Sequence, residues 1–394
     1  MRVLYLCDRL GVRGGADRHL LAILAAWQGG EVEPFLGVGF DDATIPENER
    51  ARLPSWQRIK GLDRSGLSAA GGQAARLRLA RAVETFQPDL IHLQNVMDPE
   101  LIDLAGSLAP SLATVQDHRV FCPGLGKVTP AGAACSQTMG PACLACFGDR
   151  DYGSRLLGLT RSRLEALAGL RALVALSHYM KNELVAAGAS AGSIVVIPPF
   201  VQGIGGRERP GPGRYHLLAC RLVKRKGVLV AMSAAASLKE SARLRVAGGG
   251  SLAPEVAASP AADFVGWADR EEMDRLLAGA VSLWLPSLWA EPFGIVGLEA
   301  MAAGVPVLAT DVGGVREWLA PGTSGHLLPP GDAAALAKAA DSLAANPDLA
   351  RAMGAAGRQR VLGHFNREGL MARLLALYRR VAGTAGAVSG APRA

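Results

Sequence analysis

The stretch Val281-Ser-Leu-Trp-Leu285-Pro-Ser287-Leu-Trp-Ala-Glu291-Pro-Phe-Gly294-Ile-Val-Gly-Leu-Glu299-Ala-Met-Ala-Ala-Gly304-Val305-Pro-Val-Leu-Ala309 decides the fold. The apolar runs at its two ends, Val281–Leu285 and Val305–Ala309, predict buried strands. Between them, Glu291 precedes Pro292 and so sits in extended or loop backbone. Gly294 opens a short helix that carries Glu299 and closes at Gly304. Strand, loop, helix and strand make the repeating unit of a parallel α/β sheet. Glu291 then falls at a strand's carboxyl end, where open sheets of this class bind ligands. About 7.5 Å of helix rise separates Gly294 from Glu299, so the two carboxylates meet different parts of one ligand. The amides of Phe293, Gly294 and Ile295 face the space between them, where a helix start favours anions. A plain connection with solvated acids is the alternative, and the flanking strands favour the ligand site.

The same alternation runs outward in both directions. Strands are predicted at Val3–Cys7, Leu90–Leu93, Leu112–Val115, Leu173–Leu176 and Ile194–Ile197, with a helix at Ala16–Trp27. After Pro198-Pro199 and a Gly- and Pro-rich stretch, strands resume at His216–Cys220, Arg245–Ala247, Asp263–Val265, Val281–Leu285 and Val305–Ala309. Strands alternating with helices predict doubly wound parallel sheets. The expected organisation is an N-terminal domain over 1–200, a linker at 201–213 and a second domain over 214–365. A final helix at 366–383 and a disordered tail at 384–394 complete it. The final helix shows Leu370, Leu374, Leu377, Tyr378 and Val381 along one face.

A chain of 394 residues is too long for one core and suits two domains. A hydrophobic content of 49% and a mean hydropathy of +0.20 exclude disorder. No uncharged apolar run approaches the ~18 residues of a spanning helix. The apolar N-terminal run, Val3 to Cys7, is too short for a signal peptide, so a cytoplasmic enzyme is expected. A net charge of +7 favours anionic partners. Nucleic acid is not among those expected, because stripes of interleaved aromatic and basic residues are missing. Arg76, Arg78 and Arg81 mark one predicted helix either as a solvated face or as a patch for peripheral contact with the inner face of an anionic membrane.

Further candidates sit at other strand ends. Arg221 and Lys226, with Gly227 starting a helix, place cations where a diphosphate would be clamped. The run Gly248-Gly249-Gly250 permits either a tight turn or close backbone approach to a ligand at Gly249. Val265, in Phe264-Val265-Gly266-Trp267, suits backbone contact to a base, although aromatics in such places usually belong to the core. Gly14, Gly15 and Asp17 lie in the first strand-to-helix turn, where the acid also favours the helix dipole. Two cations and two acids in one half of the chain suit a sugar attached to a nucleoside diphosphate.

These segments, Gly14-Gly15-Ala-Asp17-Arg18, Arg221 through Lys226-Gly227, and Glu291-Pro-Phe-Gly294 through Glu299 to Gly304-Val-Pro306, resemble family 4 of the retaining glycosyltransferases. The resemblance runs in order over essentially the whole chain. It implies the GT-B fold, with two Rossmann-like domains facing a central cleft, the first binding acceptor and the second donor. The last helix is expected to cross back to the first domain. Carried over, Arg221 and Lys226 neutralise the diphosphate leaving group, Glu299 holds the ribose hydroxyls and Glu291 contacts the transferred sugar. The amides at Phe293–Ile295 hold sugar or phosphate, and Gly15 contacts phosphate after closure. The partners implied are a nucleoside-diphosphate sugar and a glycan or lipid-linked acceptor. No metal is needed for catalysis.

The chain departs from the family at Gln116-Asp117-His118, where many relatives show His-Asp. Gln116 stands at the position of the family's histidine, so either it replaces that contact or His118 supplies it. Gln116, Asp117 and His118 are assigned to the acceptor side, with Asp17. Cys122, Cys135, Cys143 and Cys146 cluster in an insertion at about 121–150. A structural zinc site and reduced thiols both remain open there. Cys7 and Cys220 read as buried, inert thiols. The competing functions are a sugar phosphorylase of the same fold, for which no pyridoxal-lysine signature is present, and a non-catalytic nucleotide- or glycan-binding protein.

Overall fold

A computed structural model describes residues 1–12, 14–68, 70–201, 213–239 and 242–383. Most of the expected linker and the whole expected tail lie outside the described residues. The chain divides into two compact units. One comprises Met1–Gly126, Ser136–Pro199 and the chain from Arg367 onward; the other comprises Lys127–Cys135 and Phe200–Asn366.

The first unit holds a seven-stranded parallel sheet. Its strands are β1 (Arg2–Leu10), β2 (Glu33–Asp41), β3 (Trp56–Arg58), β4 (Leu90–Gln94), β5 (Ser111–Val115), β6 (Ala172–Ala175) and β7 (Ile194–Val196). Their order across the sheet is β3-β2-β1-β4-β5-β6-β7. The second unit holds β8 (Tyr215–Ala219), β9 (Arg243–Ala247), β10 (Ala262–Gly266), β11 (Ala280–Leu285), β12 (Val307–Thr310) and β13 (Gly325–Leu328). These are also parallel, in the order β10-β9-β8-β11-β12-β13. Both sheets therefore reverse direction once, between β1 and β4 and between β8 and β11. Helices pack both faces, so the central strands β4, β5, β8 and β11 are buried throughout.

Strands β2, β3 and β13 carry no clear apolar signature. β2 contains Gly37 and Gly39, and each is glycine for a packing reason. A Cβ at Gly37 would stand 2.6 Å from the Ile59 side chain, and one at Gly39 would stand 2.5 Å from the Asp63 amide nitrogen. The aromatic residues of β10 depart from the sequence reading. Phe264 and the nearby Trp267 are exposed at the sheet's outer edge rather than in the core.

The final helix, Arg367–Gly383, belongs to the first unit. Leu370, Leu374, Leu377, Tyr378 and Val381 are buried, the face that the spacing predicts. Arg171 donates to the Val381 carbonyl at 2.7 Å, satisfying an acceptor that the helix end leaves open. Among the described residues, no helix is long and apolar enough to cross a membrane. Arg76, Leu77, Arg78 and Arg81 form the exposed side of the helix Gly72–Phe86, whose Leu79, Val83 and Phe86 are buried.

Buried imidazoles govern the acid side of stability. Burial pushes His19 down to about 4, His92 to about 3 and His216 to about 4. Each is neutral in the fold and takes up a proton on unfolding below about 6.5. Their contribution is complete above that value and is lost as pH falls toward the folded values. Asp8, pushed up by burial to about 6, opposes them, and Asp17 and Asp103 shift the same way as Asp8. The expected net result is a lower urea midpoint at about pH 5.5 than at about pH 7.5. An unchanged or higher midpoint would show that these imidazoles are not held neutral.

Candidate functional site

The second unit's two central strands deliver their carboxyl ends side by side, at the point where the strand order reverses. That is the position at which open α/β sheets leave a ligand crevice. From β8 comes the loop carrying Arg221 and a short turn over Lys224–Lys226; from β11 comes the loop Pro286–Gly294. The two loops are joined backbone to backbone, because Leu288 donates to the Arg225 carbonyl at 2.9 Å. Gly227 makes the approach possible. Its φ is 70°, and a Cβ there would lie 1.7 Å from the Pro286 carbonyl oxygen.

Lys226 and Glu291 meet at the centre of this joint. Lys226 Nζ donates to Glu291 Oε1 at 2.7 Å and to Oε2 at 3.0 Å. Trp289 Nε1 donates to the same Oε1 at 2.9 Å, and the Ser287 hydroxyl donates there too. Burial pushes the Glu291 carboxyl up, but Lys226, Ser287 and Trp289 together bring it below the usual carboxylate range. The Trp289 ring also faces two of the turn's three cations, with Arg225 at 4.8 Å and Lys226 at 4.9 Å from its centroid. Sequence reading points to Glu291 and Lys226 but not to Ser287 or Trp289. The signal available for those two is their place four and two residues before a buried acid.

The loop beyond Glu291 is fixed just as firmly. Gly314 donates to the Glu291 carbonyl at 2.8 Å, and Trp318 Nε1 donates to the Phe293 carbonyl at 2.6 Å. Gly294, at φ 93°, caps the helix Ile295–Ala302. The dipole of that helix brings partial positive charge to the Phe293–Ile295 end. Glu299, one turn further on, is half-buried and lies 3.9 Å from Arg270. Arg221 is exposed on the neighbouring loop. Gly249 has open space around it. Its neighbours Gly248 and Gly250 are the ones with positive φ, pressed against the Cys220 and Leu222 carbonyls. Val265 is exposed on the edge strand β10. The Cys220 thiol is pushed up to about 12 and the Cys7 thiol is raised as well, both by burial, as inert thiols would be.

The remaining candidates lie in the first unit, at the carboxyl ends of β1, β4 and β5. Gly14 caps the helix Gly15–Ala26 in extended backbone. Asp17 is not a solvated N-terminal acid: it is buried and accepts from Arg9 at 2.8 Å. Asp117 caps the turn His118–Val120 and pairs with Arg119. Burial raises the Asp117 carboxyl, yet Arg119 brings it below its ordinary value overall. His118 is buried, and its Nε2 lies 3.1 Å from the Tyr179 hydroxyl. Gln116 is buried, its side-chain amide meets that of Gln94, and the outer end of its own amide has no partner. The zinc expectation is not supported. Cys135 belongs to the second unit while Cys122, Cys143 and Cys146 belong to the first. Among the described residues, no group of three or more His, Cys, Asp or Glu could hold a metal ion.

Comparison with known proteins adds four findings. Residues 207–360 match the family model described as Glycosyl transferases group 1. The alpha-maltose-1-phosphate synthase of Mycobacterium tuberculosis is 34% identical over 180 residues, 41% of this chain and 46% of that protein. The chain thus spans about half the length of the first of these relatives. The GDP-mannose-dependent alpha-(1-6)-phosphatidylinositol monomannoside mannosyltransferase of the same organism is 30% identical over 262 residues, covering 59% of this chain and 68% of that protein. A crystal structure of Anabaena HepE in complex with UDP and glucose superposes with a TM-score of 0.73 at 17% identity, over 96% of this chain and 99% of that one. At that identity the likeness is one of fold, the two Rossmann-like sheets of GT-B proteins.

Removing Lys226 strands the buried Glu291 carboxylate. Lys226→Met is expected to destabilise the second unit by about 3–5 kcal/mol. Lys226→Met combined with Glu291→Gln is expected to recover more than half of that loss in urea melts. Additive losses in the double variant would show that the two side chains are not coupled.

Proposed function

The chain belongs to the glycosyl transferases of group 1, and we propose that it moves a sugar from a nucleoside diphosphate to a hydroxyl of a glycan or lipid-linked acceptor. The observation that carries this reading is the Lys226–Glu291 pair, a half-buried lysine on a buried carboxylate where β8 and β11 end side by side. A diphosphate leaving group gains negative charge as the bond to the sugar lengthens. Lys226 is held in place before any ligand arrives, so little reorganisation is needed to meet that charge. Arg221, exposed on the same loop, supplies a second cation with a planar fork of donors. The start of the helix Ile295–Ala302 adds positive potential from the other side. Two cations and a helix start supply the stabilisation a metal gives in other transferases, and the transfer is accordingly metal-independent.

Glu299, about one turn into that helix, takes the ribose hydroxyls. Glu291 has a different task from the one its position first implies. Its Oε1 is shared by Lys226, Ser287 and Trp289. It therefore orients the lysine and offers the sugar only the free side of Oε2. A carboxylate so engaged is a poor nucleophile, so the retention that the family resemblance implies proceeds by attack on the face the leaving group vacates. On the acceptor side stand Gln116, Asp117 and His118 at the end of β5. The exposed Arg76, Leu77, Arg78 and Arg81 favour an acceptor presented at an anionic lipid surface.

A thermal-shift panel of UDP-, GDP- and ADP-sugars tests the reading. One nucleotide is expected to stabilise the chain by about 2.7 kcal/mol at a hundredfold excess over its Kd. The same donor is expected to be turned over, with Lys226→Ala slower by at least ~10-fold. A binding protein would show the shift without turnover. A phosphorylase would instead release sugar 1-phosphate from a glycan and inorganic phosphate. No shift with any donor, together with no turnover, would refute the proposal.

A further inference from the structure

One chain of buried polar groups runs through the first unit to the ligand edge of its sheet. Trp27 Nε1 lies 2.6 Å from the Tyr5 hydroxyl, and that hydroxyl lies 2.7 Å from the hydroxyl of Tyr378 on the final helix. The Tyr378 hydroxyl lies 2.5 Å from His92 Nδ1. His92 Nε2 is 2.7 Å from Thr114 Oγ1 and 3.0 Å from the amide end of Gln94. The other end of the Gln94 amide meets the amide of Gln116. Tyr5, His92, Gln94, Thr114, Gln116 and Tyr378 are all buried.

Hydrogen counting gives this chain a direction. An indole N–H can only donate, so Tyr5 accepts from Trp27. The Tyr5 hydroxyl hydrogen then has one place to go, the Tyr378 oxygen, and the Tyr378 hydrogen passes in turn to His92 Nδ1. The neutral imidazole thus carries its hydrogen on Nε2, which donates to Thr114 and toward Gln94. Gln94 must turn its carbonyl oxygen to that N–H, because an amide N–H there would set donor against donor. Its amino group then donates to the oxygen of Gln116. The two ends of a glutamine amide have the same shape, so partners decide which is which. Running the bonds the other way leaves the Tyr5 hydroxyl hydrogen buried with no acceptor, which is costly.

The outer end of Gln116 is buried and unpartnered, at the carboxyl end of β5. We propose that this directed chain fixes Gln116 with its amino group outward, so that Gln116 donates to an oxygen of the acceptor substrate and Tyr378 acts as a positioning residue for it. The substrate part of this inference rests on the transfer reaction proposed above; the direction of the chain does not. The final helix thereby reaches the site through its one buried tyrosine, rather than by touching substrate.

The experiment has two parts, both on the full chain. With 15N-labelled histidine, and His92 assigned by loss of its signals in His92→Asn, the ring is expected to be protonated at Nε2 and bare at Nδ1 near neutral pH. Protonation at Nδ1, or at both nitrogens, overturns the direction. In transfer assays, Gln116→Glu keeps an oxygen for Gln94 but replaces the outward donor with an acceptor, and kcat/KM is expected to fall by about tenfold or more. Tyr378→Phe is expected to raise the KM for the acceptor by roughly threefold or more. A merely structural role would lower kcat at constant KM, as a smaller folded fraction does, and that result overturns positioning by Tyr378. A Gln116→Glu enzyme as active as the parent overturns the donor assignment. Absence of transfer by the parent chain with any donor would refute the reaction itself, while the ring-nitrogen result would still decide the chain's direction.

Discussion

A buried glutamate held by a half-buried lysine is an expensive arrangement, and the second unit is organised around it. Neither Lys226 nor Glu291 can lose the other without leaving a charge in poor solvent. Ser287 and Trp289 direct their donors to the same carboxylate oxygen. Gly227 gives up a side chain so that the two loops can touch. Thr310, at the end of the next strand, donates to the Ser287 carbonyl at 2.6 Å and ties the loop back to β12. An ammonium fixed this way is ready for a second anion, because one carboxylate does not exhaust its three hydrogens. The fold contributes the position, the strand-order reversal, and the loop chemistry contributes the charge.

The first unit has the same kind of topology with different contents. Its sheet reverses between β1 and β4, and the groups at that edge are amides, imidazoles and acids already paired with arginines. This suits recognition of neutral hydroxyls better than capture of phosphate. Here the interior is polar as well as apolar. The Tyr5–Tyr378–His92–Gln94–Gln116 chain crosses a sheet otherwise packed by apolar side chains, and such networks hold a unique geometry only when each member is satisfied. Placing Tyr378 on the final helix makes the chain's last segment part of that geometry.

Much of this is legible in the residues alone. The β11 segment announces strand, loop and helix, because parallel central strands are apolar on both faces and a proline and glycines punctuate the loop and helix beyond it. The same logic places Arg221, Lys226, Glu291 and Glu299 in one half. The features that stay hidden have specific causes. β2 is broken by Gly37 and Gly39, which serve close packing, so its apolar count falls below a strand's. Contact between Lys226 and Glu291 depends on a 65-residue separation closed by the sheet, which no local pattern encodes. Ser287 and Trp289 look like ordinary loop residues. Burial of Asp17 and His118 has no local sign, because both stand among polar neighbours in turns.

The most direct test is a crystal structure of the chain soaked with the nucleoside diphosphate it binds. The diphosphate is expected at the carboxyl ends of β8 and β11, with an oxygen within hydrogen-bond distance of Lys226 Nζ and Glu291 still in contact with that nitrogen. A diphosphate bound elsewhere, or one that leaves the Lys226–Glu291 contact without a phosphate neighbour, would contradict this.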